Sequence, residues 1–363
     1  MLIKQEFTRV QIGCAQLLEF RNYRTLSWRP APRLNVVTGP NAQGKTNLLE
    51  ALGLLITGRS FRTSRIAEIP RWGTEITTLT GELVRGETRR TVRRVLTRLE
   101  DGIWQNTGEP APEWARAIAF GWQDLEIVNG GPSARRNFID GFAGRLYANH
   151  IPTLVRFRQI LARRNRLLQQ RPRDAGLAGR LGPWNEQFAT VGMELLDRRR
   201  KAVAALQTEL ARVYASLSGA GSKVEIRYRT SLGEAAEPAA LLAALERSQR
   251  DEARRGQTLV GPHRDDLAIE IDGVDARAFG SRGQQRLIAL SLRLAEVLPV
   301  SEAAGTAPVL LLDDALSELD PTVRGHVLHE VQSAEQVFLT TPDAPAGDGA
   351  SVFHVNGGSV TPA

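Results

Sequence analysis

Three short stretches carry the residue types that phosphate chemistry needs. The first is Gly39-Pro40-Asn41-Ala42-Gln43-Gly44-Lys45-Thr46, set between the apolar run 34–38 and the helical run 47–56. A buried strand that ends in glycines and opens a helix turns successive N–H groups onto an anion. In that spacing Lys45 reaches the β/γ-phosphates and the Thr46 hydroxyl ligates Mg²⁺. The second is Leu312-Asp313-Asp314, which closes the apolar run 308–312. A buried strand ending in two carboxylates suits metal binding by Asp313 and activation of water by Asp314. The third is Ser281-Arg282-Gly283-Gln284 at the head of a helical run. A hydroxyl and free N–H groups at a helix start receive an anion, and with one phosphate loop already present this receptor serves a second nucleotide. The plain alternative is an ordinary N-cap. Thr340 and Thr341 end a further apolar strand, on the side where open α/β sheets hold ligands.

These stretches need a scaffold that brings distant segments together. Residues 10–23 alternate weakly and lead through a Pro-rich turn at 29–33 to the phosphate-loop strand, as an edge strand or hairpin does. The helix after Thr46 is expected to stop near Gly58. Residues 76–84 and 88–99 alternate about Arg85-Gly86-Glu87, an antiparallel hairpin with one wet face. Beyond 117–120 the period becomes helical. Leu154, Phe157, Leu161 and Leu168 form one stripe, and Phe188, Val191, Leu195, Val203, Leu206, Leu210, Val213 and Leu217 a second. Two such stripes fit an antiparallel helical arm turning at 172–176, its second helix reaching about 50 Å. A compact helical subdomain is the alternative. A strand at 223–229, a helix at 238–254 and a hairpin turning at Asp272-Gly273 follow. His263 beside Asp265 and Asp266 has no second histidine or cysteine at ligand spacing, which favours a polar hinge over a metal site. The domain reading is an ATPase lobe in two parts, 1–122 and 256–363, flanking a helical insertion at 123–255.

The 363 residues, 42% hydrophobic and 24% charged, suit a folded protein with a sizeable core. With no membrane-length apolar run, a cytoplasmic location is expected. Cys14 is the single cysteine, so no internal disulfide or thiolate cluster forms. A net charge of +7 with pI near 10.1 suits a polyanionic partner. Arginine accounts for nearly all of it, and genome composition is a competing cause.

Phosphate loop, glutamine-bearing segment, Ser-x-Gly-Gln turn and acidic strand, in this order, resemble the ATP-binding-cassette ATPases. Phe20-Arg-Asn-Tyr23, Gly58-Arg-Ser-Phe-Arg-Thr63, Arg135-Arg-Asn-Phe-Ile-Asp140, Arg164-Asn-Arg-Leu-Leu168, Gly261-Pro-His-Arg-Asp-Asp266 and Leu312-Asp-Asp-Ala-Leu-Ser-Glu-Leu-Asp320 are similar, nearly end to end, to the RecF family. That family of bacterial recombination mediators resembles the heads of SMC proteins. The resemblance implies an α/β fold: an ABC-type ATPase head, with its phosphate-loop sheet and antiparallel β subdomain, carrying an inserted α-helical arm. It implies ATP in the cradle Gly39, Pro40, Asn41, Ala42, Gln43, Gly44, Lys45 and Thr46, and Mg²⁺ on Thr46 and Asp313. Asp314 is then the base, Gln123 the metal-sensing glutamine, Arg62 a nucleotide contact, and Thr340 or Thr341 stands at the switch position. Ser281, Gly283 and Gln284 complete the site of a second subunit, so that ATP also holds a homodimer together. Trp122-Gln123-Asp124, Asn129 and Arg282 depart from the family's Pro-Glu-Asp, lysine and glutamine.

The function so implied is an ATP-gated DNA-binding mediator of DNA replication, recombination and the SOS response. It clamps duplex or gapped DNA, works with RecO and RecR, and lets go on slow, DNA-stimulated hydrolysis. A transporter motor subunit is the runner-up, but it gains nothing from the helical insertion or the basic charge. A small-molecule kinase has no use for the turn at Ser281.

Overall fold

The computed structural model describes residues 7–170, 176–219, 221–234, 237–331, 334–342 and 349–363. The expected arm turn at 172–175 lies outside them. The chain divides into two compact units: residues 1–125, 212–222 and 281–363 form the first, and 126–211 with 223–280 the second. These junctions differ from the boundaries read at 122 and 255, because the segment 256–280 packs within the second unit.

The first unit holds two sheets. Strands β1 (Val10–Phe20), β2 (Tyr23–Trp28), β4 (Ile76–Arg85), β5 (Thr88–Arg98) and β6 (Trp104–Gly108) make an antiparallel sheet in the order β2-β1-β4-β5-β6. Alternation puts Leu79, Leu83, Val92 and Leu96 into the core, together with Thr77 and Arg94, and leaves Arg89, Arg90, Thr91 and Arg93 outside. The second sheet runs β14-β13-β3-β12-β11-β7, from β3 (Leu34–Thr38), β7 (Ala117–Phe120), β11 (Val309–Leu312), β12 (Val337–Thr340), β13 (Ser351–Asn356) and β14 (Ser359–Pro362). All its pairings are parallel except β13 with β14. The continuous apolar runs of β3, β11 and β12 are buried throughout, as a covered parallel sheet requires. Helix α1 (Lys45–Thr57) fills the space between the sheets and stops at Gly58, whose φ of 71° is the left-handed cap the sequence calls for. Gln336, fully buried, joins the two sheets: its Oε1 accepts from Ile12 N at 2.7 Å and its Nε2 donates to Ala31 O at 2.9 Å.

In the second unit, the short α2 (Leu125–Asn129, entering from the first unit) leads to α3 (Pro132–Leu146), α4 (His150–Gln169), α5 (Leu177–Ser218) and α6 (Pro238–Arg255). The two heptad-like stripes do pair, through Leu154, Phe157, Phe188 and Leu195, but Leu241 and Leu245 of α6 share their core. A three-stranded sheet, β10-β9-β8, completes the unit from β8 (Val224–Arg229), β9 (Asp266–Ile271) and β10 (Val274–Asp275), followed by α7 (Ala276–Phe279). At 42 residues α5 is about 63 Å long, and its last turns, from Arg212, belong to the first unit.

The segment Gly261–Asp266 is an anchored corner, not a polar hinge. Pro262 O accepts from the Arg199 guanidinium at 2.7 Å, and Asp265 accepts from the Tyr228 hydroxyl at 2.7 Å. Asp266 pairs in a fork with Arg135 at 2.6 and 2.9 Å. Gly261 has φ 121°, and a Cβ there would lie 2.9 Å from the Phe188 ring. Nearby, Arg164 and Glu252 form a fully buried ion pair at 2.6 Å, which the Thr258 hydroxyl helps satisfy by accepting from Arg164. Helices α8 (Arg282–Ala295), α9 (Val297–Ala304) and α10 (Pro321–Val331) return the chain to the first unit.

Candidate nucleotide site

The phosphate loop connects β3 to α1, and its shape is fixed from two sides. Gly39 has φ 131°, and a Cβ there would sit 2.4 Å from Val355 O of β13, so only glycine passes. Gly44 has φ 115°, and a Cβ would strike the Asn22 amide at 2.6 Å. That amide donates to Gln43 O at 2.8 Å, the Tyr23 hydroxyl donates to Gly44 O at 2.9 Å, and Gly357 N donates to Gln43 Oε1 at 2.8 Å. The turn between β1 and β2 and the turn between β13 and β14 therefore hold the loop open as a cradle. Asn41 and Ala42 are exposed at its tip, Ala42 with φ 65°.

Lys45 Nζ donates to Gly39 O at 2.5 Å and Pro40 O at 2.9 Å, which curls the side chain across the loop. Burial lowers its pKa, while Asp314 and Asp313 act the other way. A phosphate in the cradle offers this cation charged acceptors in place of two carbonyls. Opposite, Thr46 Oγ1 donates to Asp313 Oδ1 at 2.8 Å. Thr340 Oγ1 donates to the same oxygen at 2.8 Å and accepts from Asp314 N at 2.8 Å. Thr340 thus orients both acidic residues. Asp313 is buried, and that burial raises its pKa against the hydrogen bonds of Thr46 and Thr340 and the charge of Arg62.

The hydroxyl of Thr46 and the carboxylate of Asp313 are hard oxygen donors, and a divalent cation would relieve the burial cost on Asp313. The pair therefore fits Mg²⁺. Asp314 stands one residue on, half-exposed and with φ 52°. Its carbonyl accepts from Arg286 of α8, and its carboxylate lies 3.8 Å from that guanidinium.

Arg62 and Gln123 meet in this unit as well. The Arg62 guanidinium donates to Asn47 Oδ1 at 2.6 Å and Glu50 Oε2 at 3.1 Å, and Gln123 Nε2 donates to Arg62 O at 3.3 Å. Gln123 sits in a turn pinned by Asp124, whose Oδ2 accepts from Gly121 N at 2.8 Å and whose Oδ1 binds Arg293 at 2.6 Å. Ser281, Gly283 and Gln284 are exposed at the start of α8. Ser281 Oγ accepts from Gln284 N at 3.2 Å, and Gln284 Oε1 accepts from Ser281 N at 2.9 Å. This capping box is the plain alternative realised; it leaves the turn facing solvent, and its described bonds do not join it to the phosphate loop.

Sequence reading missed Glu50, Asn22, Tyr23 and Arg286 as parts of the site. Glu50 is fully buried and accepts from Arg21 at 2.6 and 2.8 Å, from Ser60 at 2.5 Å and from Arg62. A lone acid within Leu48-Leu49-Glu50-Ala51-Leu52 was the available signal, since such a charge must be paired when buried.

A parallel phosphate-loop sheet, an antiparallel lobe beside it and a Ser-x-Gly-Gln turn ahead of α8 define an ATPase of the cassette type, with the head fold of SMC proteins. A solved Smc head domain from Pyrococcus furiosus shares that fold, with TM-score 0.54 and 16% identity over 98% of this chain and 96% of that one. Residues 16–171 match the model of an AAA domain. At the level of the whole chain, the "DNA replication and repair protein RecF" of Lactobacillus delbrueckii subsp. bulgaricus is 38% identical over 89% of this chain and 88% of its own. That of Heliobacterium modesticaldum is 36% identical over 92% of each. A structure of the recombination mediator protein RecF with ATP, of the RecFOR pathway, superposes with TM-score 0.88 and 27% identity over 100% of both chains. The chain belongs to the RecF family. That membership replaces the transporter and kinase readings. Among the described residues no helix is long and apolar enough to cross a membrane.

Proposed function

We propose that the protein is an ATP-dependent DNA-binding mediator of recombination and repair in which ATP and Mg²⁺ join two copies of the chain on DNA. The observation that carries this reading is the division of labour between Lys45, Thr46 and Asp313 on one side and the exposed Ser281 turn on the other. The first set holds a nucleotide and its metal, with Thr46 and Asp313 already in register through a 2.8 Å bond. The second set is an exposed, internally capped helix start whose described bonds stay within the turn, and a second copy supplies the nucleotide it fits. Mg²⁺ would neutralise charge on the β- and γ-phosphates. Lys45 binds the phosphates, Arg62 is held toward them by Glu50, and Asp314 takes the proton of the attacking water. The half-exposed Asp314, without a histidine at the Thr340 position, suits slow turnover. Single-stranded/duplex gap junctions are the DNA target, with RecO- and RecR-type proteins as partners and the cytoplasm as the location.

The test is DNA binding and sedimentation measured together with no nucleotide, ADP, ATP and a non-hydrolysable analogue. ATP and the analogue should each yield a dimer that binds DNA more tightly, while ADP should not. A protein that stays monomeric and binds DNA equally in all four conditions overturns the reading.

A further inference from the structure

We propose that the cleft between α3 and α4 seats a backbone phosphate of a nucleic acid, and that the outward arc of α4 carries the strand beyond it. This rests on the DNA-binding reading above. Two segments that the nucleotide site does not use, 135–140 and 261–266, border a cavity of about 220 Å³ within the second unit. Ser133, Arg136 and Asn137 stand on one stripe of α3, Phe157 and Arg158 face them from α4, and His263 also lines the cavity.

The charge of this cleft is positive once its internal pairs are counted. Asp140 is neutralised by Arg199, which donates to Oδ1 at 2.7 Å and Oδ2 at 2.8 Å, and it also receives His150 Nε2 at 3.0 Å. Arg136 and Arg158 remain. Arg136 is tied to the carbonyl of Asp265 at 2.7 Å, so its head group is fixed in place. Burial and the neighbouring Arg199 charge both disfavour its ionised form, against Asp266 and Asp265; an incoming anion relieves that cost. The first turn of α3 adds to this. It starts at Gly131 and Pro132 with no side-chain cap, and since Pro132 has no N–H and Ala134 N donates to Gly131 O at 3.1 Å, the Ser133 N–H stands beside its own hydroxyl for a ligand.

What makes the ligand a strand is α4 itself. Between His150 and Gln169 there is no aspartate or glutamate, and Arg156, Arg158, Arg163 and Arg166 are all exposed. Among the described residues none of the four has an ion pair. Arg163 lies over the Trp184 ring of α5 at 5.3 Å. From Arg156 to Arg166 is about 15 Å, enough for several backbone phosphates at ~3.4 Å of axis per charge on one strand.

Arg158→Ala, Arg163→Ala and the double variant of the full chain, compared over a range of salt concentrations with and without ATP, decide the matter. Each single change should lower the log–log salt slope of DNA binding by about 0.9, and the double by about 2, with thermal unfolding unchanged for Arg158→Ala and lowered by only a few degrees for Arg163→Ala, which loses its contact with Trp184. Inorganic phosphate should compete with DNA for wild type and less for Arg158→Ala. An unchanged slope in the double variant overturns the inference, as does loss of phosphate competition with DNA affinity intact, which would mark a site for free phosphate alone. Wild-type protein that binds no DNA at all would instead fail the functional reading.

Discussion

Arg286 of α8 donates to the backbone carbonyl of Asp314, although the two residues lie 28 positions apart. The guanidinium is buried, its Nε has no hydrogen-bond partner among the described residues, and both Asp314 and Glu318 stand within 3.9 Å of it. Asp314 and Glu318 both adopt positive φ, at 52° and 61°, a conformation that costs about 1 kcal/mol or more for such residues and needs outside support. Arg286 supplies it. Arg286→Ala should therefore lower kcat by about 10- to 100-fold, as loss of one charged hydrogen bond implies, while ATP affinity changes little. Arg286→Lys should restore only part of it. Equal loss of kcat and of ATP binding in steady-state and equilibrium measurements would show that the arginine serves the fold generally.

Asp314 is set apart from the binding residues by its exposure, whereas Asp313 is held by two hydroxyls. Asp314→Asn is expected to bind ATP and to accumulate the ATP-joined dimer, with hydrolysis reduced by about 100-fold or more. Quantitative nucleotide binding checks this, and failure to bind ATP would mean that the two carboxylates exchange roles.

Ser281→Arg places a large side chain at an exposed turn and leaves Gly39–Thr46 untouched. ATP binding should survive, and ATP-dependent dimerisation should vanish together with the tight, salt-steep mode of DNA binding. Sedimentation and salt titration on one sample give both readings. A monomer that keeps ATP-stimulated DNA binding requires a single-subunit switch.

His263 gives the second unit a pH response. Burial, with Arg264, Arg136 and Arg164 nearby, lowers its pKa from 6.5 to about 4, and the bond to Thr258 O opposes this only in part. The unfolded chain takes up the proton near pH 6.5 and the folded chain only near 4, so stability is full above pH 6.5 and falls as pH drops toward 4. The loss by pH 4 is about 3 kcal/mol. Urea unfolding at pH 7.5 and pH 4.5 should show it in wild type, and His263→Gln should show a smaller difference.

The phosphate loop, the acidic strand and the hairpins were legible because backbone requirements wrote them: glycine at positive φ, apolar runs without polar interruption, alternation about a turn. Glu50 and Arg286 were not, since their partners Arg21, Ser60 and Asp314 are set by tertiary contact. The helical stripes announced that α4 and α5 pair; α6 has its own apolar face, with Leu241, Ala244 and Leu245 buried, but periodicity says only that a face is buried and not against which helices. His263 beside two acids suggested mobile polarity. The groups that anchor its segment, Arg199 on Pro262, Tyr228 on Asp265 and Arg135 on Asp266, come from three other elements, and only the fold brings them there.

The parallel sheet also dictates when the protein can fold. Strand β3, which delivers the phosphate loop, pairs with β12 and β13, so Val37 meets Thr340 and Phe353 across about 300 residues of chain. A ribosome that has released β3 has yet to make either neighbour, and the Val355 carbonyl that presses on Gly39 is still later. The nascent chain can close the β1–β2 and β4–β5 hairpins from local contacts. It must then keep the apolar β3 unpaired until residues 337–355 have emerged, so the phosphate cradle cannot close before them.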